Sequence, residues 1–117
     1  MGFDHSTYHG FGVHVPRDRY QTGHIQSECE WLDAVIKHTK GLPPGLLGHL
    51  SAGDYDRDEL FLIASTRNET LEVALGTFAV LAEVDVTGRA DALKLLAEAA
   101  GYGELAEPGW LVIPDVS

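Results

Sequence analysis

Only one cysteine, Cys29, occurs in the 117 residues, so no intrachain disulfide can close the fold and nothing points to an oxidising compartment. Long apolar runs are missing too. The longest, Val73 to Val84, is broken by Gly76, Thr77 and Glu83 and is too short to span a bilayer. The opening Met1-Gly2-Phe3-Asp4-His5 has no basic stretch ahead of an apolar one, which is what a signal peptide requires. Without export, the glycosylation pattern Asn68-Glu69-Thr70 has no meaning, and Gly2 with Ser6 is a chance match to a loose myristoylation pattern. The expectation is a cytoplasmic protein with no membrane partner.

Basic residues are scarce as well. Eight Lys and Arg face eighteen Asp and Glu, a formal net charge of −10. Residues 59–117 carry ten acids against Arg67, Arg89 and Lys94, while all six histidines fall in the first half. Such a balance repels phosphate backbones, and no Lys/Arg cluster offsets it locally, so direct nucleic-acid binding is disfavoured. A basic protein is the partner such a surface would attract.

Phosphate-binding loops and nucleophile elbows are absent from the pattern. Gly10-Phe11-Gly12 lacks the later glycine and the helix that a dinucleotide fingerprint needs. Ser6, Ser51 and Ser65 sit in no Gly-x-Ser-x-Gly turn. No cofactor is expected.

What is present reads as one domain over residues 1–117, a size that suits a single core. The first ten residues are polar and show no period. Phe11, Val13 and Val15 then alternate as a half-buried strand that Pro16 stops, with a loop over 18–24. Ser27 and Glu30 form a capping box for a first helix, whose stripe is Leu32, Val35 and Ile36 with Trp31 at its margin. Gly41 ends it in a left-handed cap, and Pro43-Pro44 prevents its resumption. Residues 46–51 and 60–65 read as a hairpin around 52–58.

Residues 70–84 fit both a strand and a helical face, and the valines with the central Gly76 favour strand. A second helix capped by Thr87 carries Leu93, Leu96 and Ala100, extended by Ala92 and Ala99, and ends at Gly101. Trp110 to Ile113 is a final strand stopped by Pro114. The plan is α+β: two helices packed on a small, mostly antiparallel sheet of four to five strands.

Candidate chemistry is sparse. Asp54, Asp56, Asp58 and Glu59 resemble the start of a calcium loop, because alternate carboxylates converge on a hard cation. Glu59 stands where that loop needs glycine, and its twelfth position is Ser65 rather than glutamate, so a polar hairpin tip is the better account. His14 and His49 fall in predicted strands, both expected to face away from the core. With Asp54 and Asp56 they make the alternative reading, a metal-dependent hydrolase. Cys29 lies in the first turn of a predicted helix, but Glu28 and Glu30 beside it oppose thiolate formation, so packing is its expected role.

Tyr8, Tyr20 and Tyr55 lie in predicted loops and are the aromatics expected to be exposed, Tyr55 among acids above all. The partner-binding set is therefore Asp54, Tyr55, Asp56, Asp58, Tyr8 and Tyr20. The favoured reading is a small non-enzymatic interaction module whose acidic surface docks on a basic protein; an inhibitor or immunity-type protein is one form of it. Exposed edge strands would also permit a homodimer.

Overall fold

The computed structural model describes residues 5–42, 45–54, 57–65, 71–74, 77–78, 80 and 86–116. Two helices pack against a curled antiparallel sheet of five strands, an α+β fold. In chain order these are β1 (His5–Val15), α1 (Ile25–His38), β2 (Leu47–Asp54), β3 (Arg57–Ala64), β4 (Leu71–Ala74), α2 (Arg89–Ala100) and β5 (Gly109–Val116), with one 3₁₀ turn at Arg17–Arg19. Among the described residues no helix is long and apolar enough to cross a membrane.

β1 is the centre of the sheet, and its whole length is used. β4 pairs with Ser6–His9 and β5 with His5–Gly12, so these two must occupy opposite edges of β1. Gly12 faces Gly109 on one side and Ile63 on the other, which puts β3 on the same edge as β4. β3 and β4 thus line one edge in tandem. Where β3 leaves, the Phe11 N–H loses its ladder acceptor and donates instead to Ser65 Oγ at 3.0 Å. The Ala64 carbonyl accepts from Arg89 Nη1 at 3.0 Å. Both orphaned backbone groups are satisfied by side chains, as burial demands.

Several local expectations change in this setting. The polar opening segment is strand from His5 onward, because pairing on both edges outweighs its lack of hydrophobic alternation. Pro114 does not stop β5; it lies inside it, opposite Thr7. Phe11 aims its N–H at the β3/β4 edge, so Thr7, four residues earlier, does the same. The Thr7–Pro114 pair therefore exchanges no ladder bond, and the missing proline N–H costs nothing there. Within residues 70–84, Leu71–Ala74 is strand as favoured, whereas Gly76 lies outside the described residues.

Gly12 is demanded by close approach rather than by turning. A Cβ at that position would run into the Leu62 carbonyl oxygen and lie 2.9 Å from Ile63 Cδ1. Gly10 and Gly12 are both buried.

The helices cover one face of the sheet. Phe11, Val13 and Val15 from β1 and Leu60, Leu62 and Ala64 from β3 meet Leu32 and Val35 of α1 and Leu93, Leu96 and Ala100 of α2. Each fully buried Leu or Val is worth about 1.5–3 kcal/mol of transfer free energy, so this layer holds the fold. On the other face Ala52, Ile63 and Ile113 are buried with no helix over them among the described residues, where the curl brings β2 against β5.

Neither helix begins where its local signals point. α1 starts at Ile25 with His24 at its cap, so Ser27 is already inside the first turn and Glu30 is exposed. Ser27 Oγ bonds Thr22 Oγ1 and the His24 carbonyl, and the expected capping box does not form. α1 stops at His38, with Thr39 extended, ahead of Gly41. Gly88, left-handed at φ 80°, caps α2 in place of Thr87. Ala99 is exposed, and Ala97 takes its expected place in the core. The end of α2 is as expected: Gly101 at φ 89° lets its own N–H reach Glu98 O and the Tyr102 N–H reach Ala97 O, the paired bonds of a Schellman closure.

Candidate functional site

Strand register decides the histidine reading. Val13 faces Leu62 and Leu62 faces His49, so His49 shares the helix-covered face. His14 faces Phe61, which places it on the opposite face. The expectation that both imidazoles lie away from the core, and can converge, is therefore corrected, because side-chain direction reverses at each residue of a strand. His14 Nε2 lies 3.3 Å from Glu59 Oε2, and His49 Nε2 lies 2.7 Å from Asp33 Oδ1 on α1. Among the described residues no group of three or more His, Cys, Asp or Glu is placed to hold a metal ion. Of the ligand set of the hydrolase reading (His14, His49, Asp54, Asp56), the two histidines stand on opposite faces of the sheet, Asp54 is described only as the end of β2, and Asp56 lies outside the described residues.

Cys29 and Asp33, one turn apart on α1, meet Ser51 and His49 on β2. This is the described cluster closest to a nucleophile–base arrangement. Its chemistry runs the wrong way: burial, followed by the carboxylates of Asp33 and Glu28, pushes the Cys29 thiol up, and the hydrogen bond with Ser51 offsets only part of that. A thiol held protonated is a packing residue, not a nucleophile.

A third polar assembly joins the segment before α1 to the end of α2, and no local signal in the sequence announces it. Glu28 is fully buried. Its carboxylate accepts from the Gln21 and Thr22 N–H groups, from Thr22 Oγ1 and, at 2.6 Å, from the Tyr102 hydroxyl. Burial opposes ionisation of Glu28, but these donors, Tyr102 first, outweigh it and hold the carboxyl below its ordinary value. Burial and then the neighbouring Glu28 carboxylate push the Tyr102 phenol well up. Gln21 Nε2 reaches the Gly101 carbonyl, Trp31 Nε1 the Ala100 carbonyl, and Arg19 Nη1 the Glu104 carbonyl. Residues 100–104 are thereby held to the 19–31 stretch from one side.

Beyond that junction the chain runs 103–108 alongside α2 and leaves a groove of about 460 Å³ between them. Val13, Leu93 and Ala97, all buried, close its floor from β1 and α2, and Leu105, Ala106 and Pro108 form the facing side and its accessible apolar surface. Glu98, Glu104 and Glu107 line it too, all exposed, with Lys94 as the lining cation. Lys94 Nζ stands 3.5 Å from Glu107 Oε1, a long contact between groups 57% and 84% exposed. A pair so open to water contributes little to stability, about 0–1 kcal/mol. The arrangement is apolar inside, anionic around the opening and anchored at one end. Of its residues Val13 and Leu93 stand out in the sequence, as members of a half-buried strand and of a helix stripe. The alternation Glu104-Leu105-Ala106-Glu107 after two glycines is the signal that could have marked it.

Of the residues expected to bind a partner, the side chains of Tyr8, Tyr20 and Asp58 are described. Asp54 ends β2 opposite Arg57, and Tyr55 and Asp56 lie outside the described residues. Asp58 is exposed, and its carbonyl accepts from Arg17 Nη2 at 2.7 Å. Tyr8 is not a loop residue; it is half-buried in β1, opposite Glu72 and Ile113. Tyr20 packs against the core, and its buried hydroxyl has no hydrogen-bond partner among the described residues. Neither is the exposed loop aromatic that the sequence suggests.

Compared with protein-family models, with curated proteins and with solved structures, the chain matches none. The reading of its function therefore rests on its own residues.

Proposed function

We propose that this chain is an acidic protein–protein interaction module that docks on a basic partner protein, with an inhibitor or immunity-type role as one biological form. The observation that carries the reading is the charge: −10 over 117 residues, with Asp58, Asp91, Glu98, Glu104 and Glu107 exposed on the folded surface. A field of that sign accelerates encounter with a cationic surface and turns away phosphate backbones. The compact core leaves these carboxylates on a fixed frame, so little order has to be created on binding.

The test begins with affinity capture at low salt from the native cells, followed by stopped-flow association of the captured protein. The expected partner is basic, and its association rate falls steeply as salt rises. Asparagine at Asp54, Asp56 and Asp58 together should slow association and flatten the salt dependence while leaving the fold intact. An acidic partner, or a rate indifferent to salt, would sink the reading.

A further inference from the structure

We propose that the groove between α2 and residues 103–108 receives a lysine or arginine side chain from a basic protein segment, an inference that rests on the acidic-module reading above. Its volume, about 460 Å³, lies within the roughly 300–1,000 Å³ of clefts that take ligands. Leu105, Ala106 and Pro108 supply accessible apolar surface for the methylene stem over a floor closed by the buried Val13, Leu93 and Ala97, and the carboxylates of Glu98 and Glu107 receive the charged head. Long basic side chains are built for such a surface, since the stem is apolar and only the tip is charged. An anion would meet three carboxylates, and a purely apolar guest would leave them facing it without compensation.

The groove already carries a weak version of this contact. Lys94, rising from α2, reaches across to Glu107 on the facing segment at 3.5 Å, with both groups largely in water. A guest cation replaces Lys94 at Glu107 at little cost, because so exposed a pair is loosely held. The other nearby cation, Arg19, is committed to the Tyr102 and Glu104 carbonyls. It fixes the segment's course and leaves the carboxylates of Glu98 and Glu107 free of it. Lys94 is thus a competitor built into the site, which leads to an expectation that a general acidic surface does not share: removing this one cation strengthens binding more than its charge alone would at a distance.

The experiment titrates ¹⁵N-labelled protein with an arginine–glycine repeat peptide and, in parallel, with the same peptide carrying citrulline for arginine. Saturable amide shifts are expected within 93–98 and 103–108, and the citrulline peptide should produce none. Glu98→Gln and Glu107→Gln should each weaken binding about two- to fivefold, and Lys94→Gln should strengthen it by a similar factor. Ala106→Trp, on an exposed position of the facing segment, should block the groove while the remaining spectrum stays in place.

Shifts confined to Asp54, Asp58 and their neighbours would overturn the groove and leave the acidic-module reading standing. Equal binding of the citrulline peptide would overturn the role of the cation. Shifts at 93–98 and 103–108 that depend on protein concentration, without peptide, would give the groove to a second copy of the chain and overturn the proposal. No binding of any basic peptide, together with a salt-insensitive partner, would sink both readings.

Discussion

Glu28 and Glu98 are the same residue on two helices that pack together, yet one is fully enclosed and the other stands at the surface. Glu28 accepts from two backbone N–H groups and two hydroxyls. Glu98 lines a groove whose lining cation, Lys94, is turned to Glu107. The first carboxylate joins three parts of one chain, and its charge is consumed in doing so. The second keeps its charge available. Burial with complete hydrogen bonding marks the structural acid, and exposure beside apolar surface marks the one proposed to receive a guest cation.

The largest expected effect comes from breaking the enclosed side. Glu28→Ala leaves the Gln21 and Thr22 amides and the Tyr102 hydroxyl without their acceptor, and should cost about 3–5 kcal/mol. Chemical denaturation measures it, and a loss below about 1 kcal/mol would mean that water serves the junction equally well.

Tyr102→Phe removes one donor and keeps the ring, so about 1–2 kcal/mol is expected by the same method. The Glu28 carboxyl is held below its ordinary 4.5, so the folded state binds this proton less readily than the unfolded chain. Its contribution is complete above pH 4.5 and is lost as pH falls through the lower folded value. Tyr102 runs the other way. Its phenol is raised above 10, so its contribution is complete below pH 10 and fades at higher pH. The phenylalanine variant should therefore lose Tyr102's share of the alkaline dependence and part of the acid dependence. An unchanged pH–stability curve would remove the Glu28–Tyr102 bond from the account.

At the small end, Glu98→Gln and Glu107→Gln should leave stability within about 0.5 kcal/mol of the parent, since both side chains are exposed. A stability loss comparable to that of Glu28→Ala would erase the distinction between the two kinds of carboxylate.

Much of the architecture is legible along the chain, for a reason that can be named at particular residues. Periodicity reports how a side chain points relative to its own element. Phe11, Val13 and Val15 alternate, Leu32 and Val35 share a stripe, and Leu93, Leu96 and Ala100 share another; all are buried on one side of the sheet. Gly101 closes α2 because only a residue tolerant of positive φ makes that turn. These choices need no knowledge of distant residues.

What a side chain meets is another matter. Tyr102 lies 74 residues from Glu28, and Ser65 lies 54 from Phe11, so neither partnership has a local trace. His5–Gly10 becomes strand only because β4 and β5 arrive on both sides, and Pro114 is tolerated only because its pair with Thr7 exchanges no ladder bond. His14 and His49 are each correctly read as strand residues, yet the register through Leu62 and Phe61 sends them to opposite faces. The groove belongs wholly to this second class. Its surface comes from β1, α2 and the segment before β5, and only their packing sets the carboxylates around an apolar bed. By itself the sequence determined the acidity, the two helices and the alternating strands, because composition and local period are properties of neighbouring residues. Which carboxylate is enclosed and which stands exposed at a groove was decided by tertiary packing, because burial depends on what the rest of the chain brings alongside.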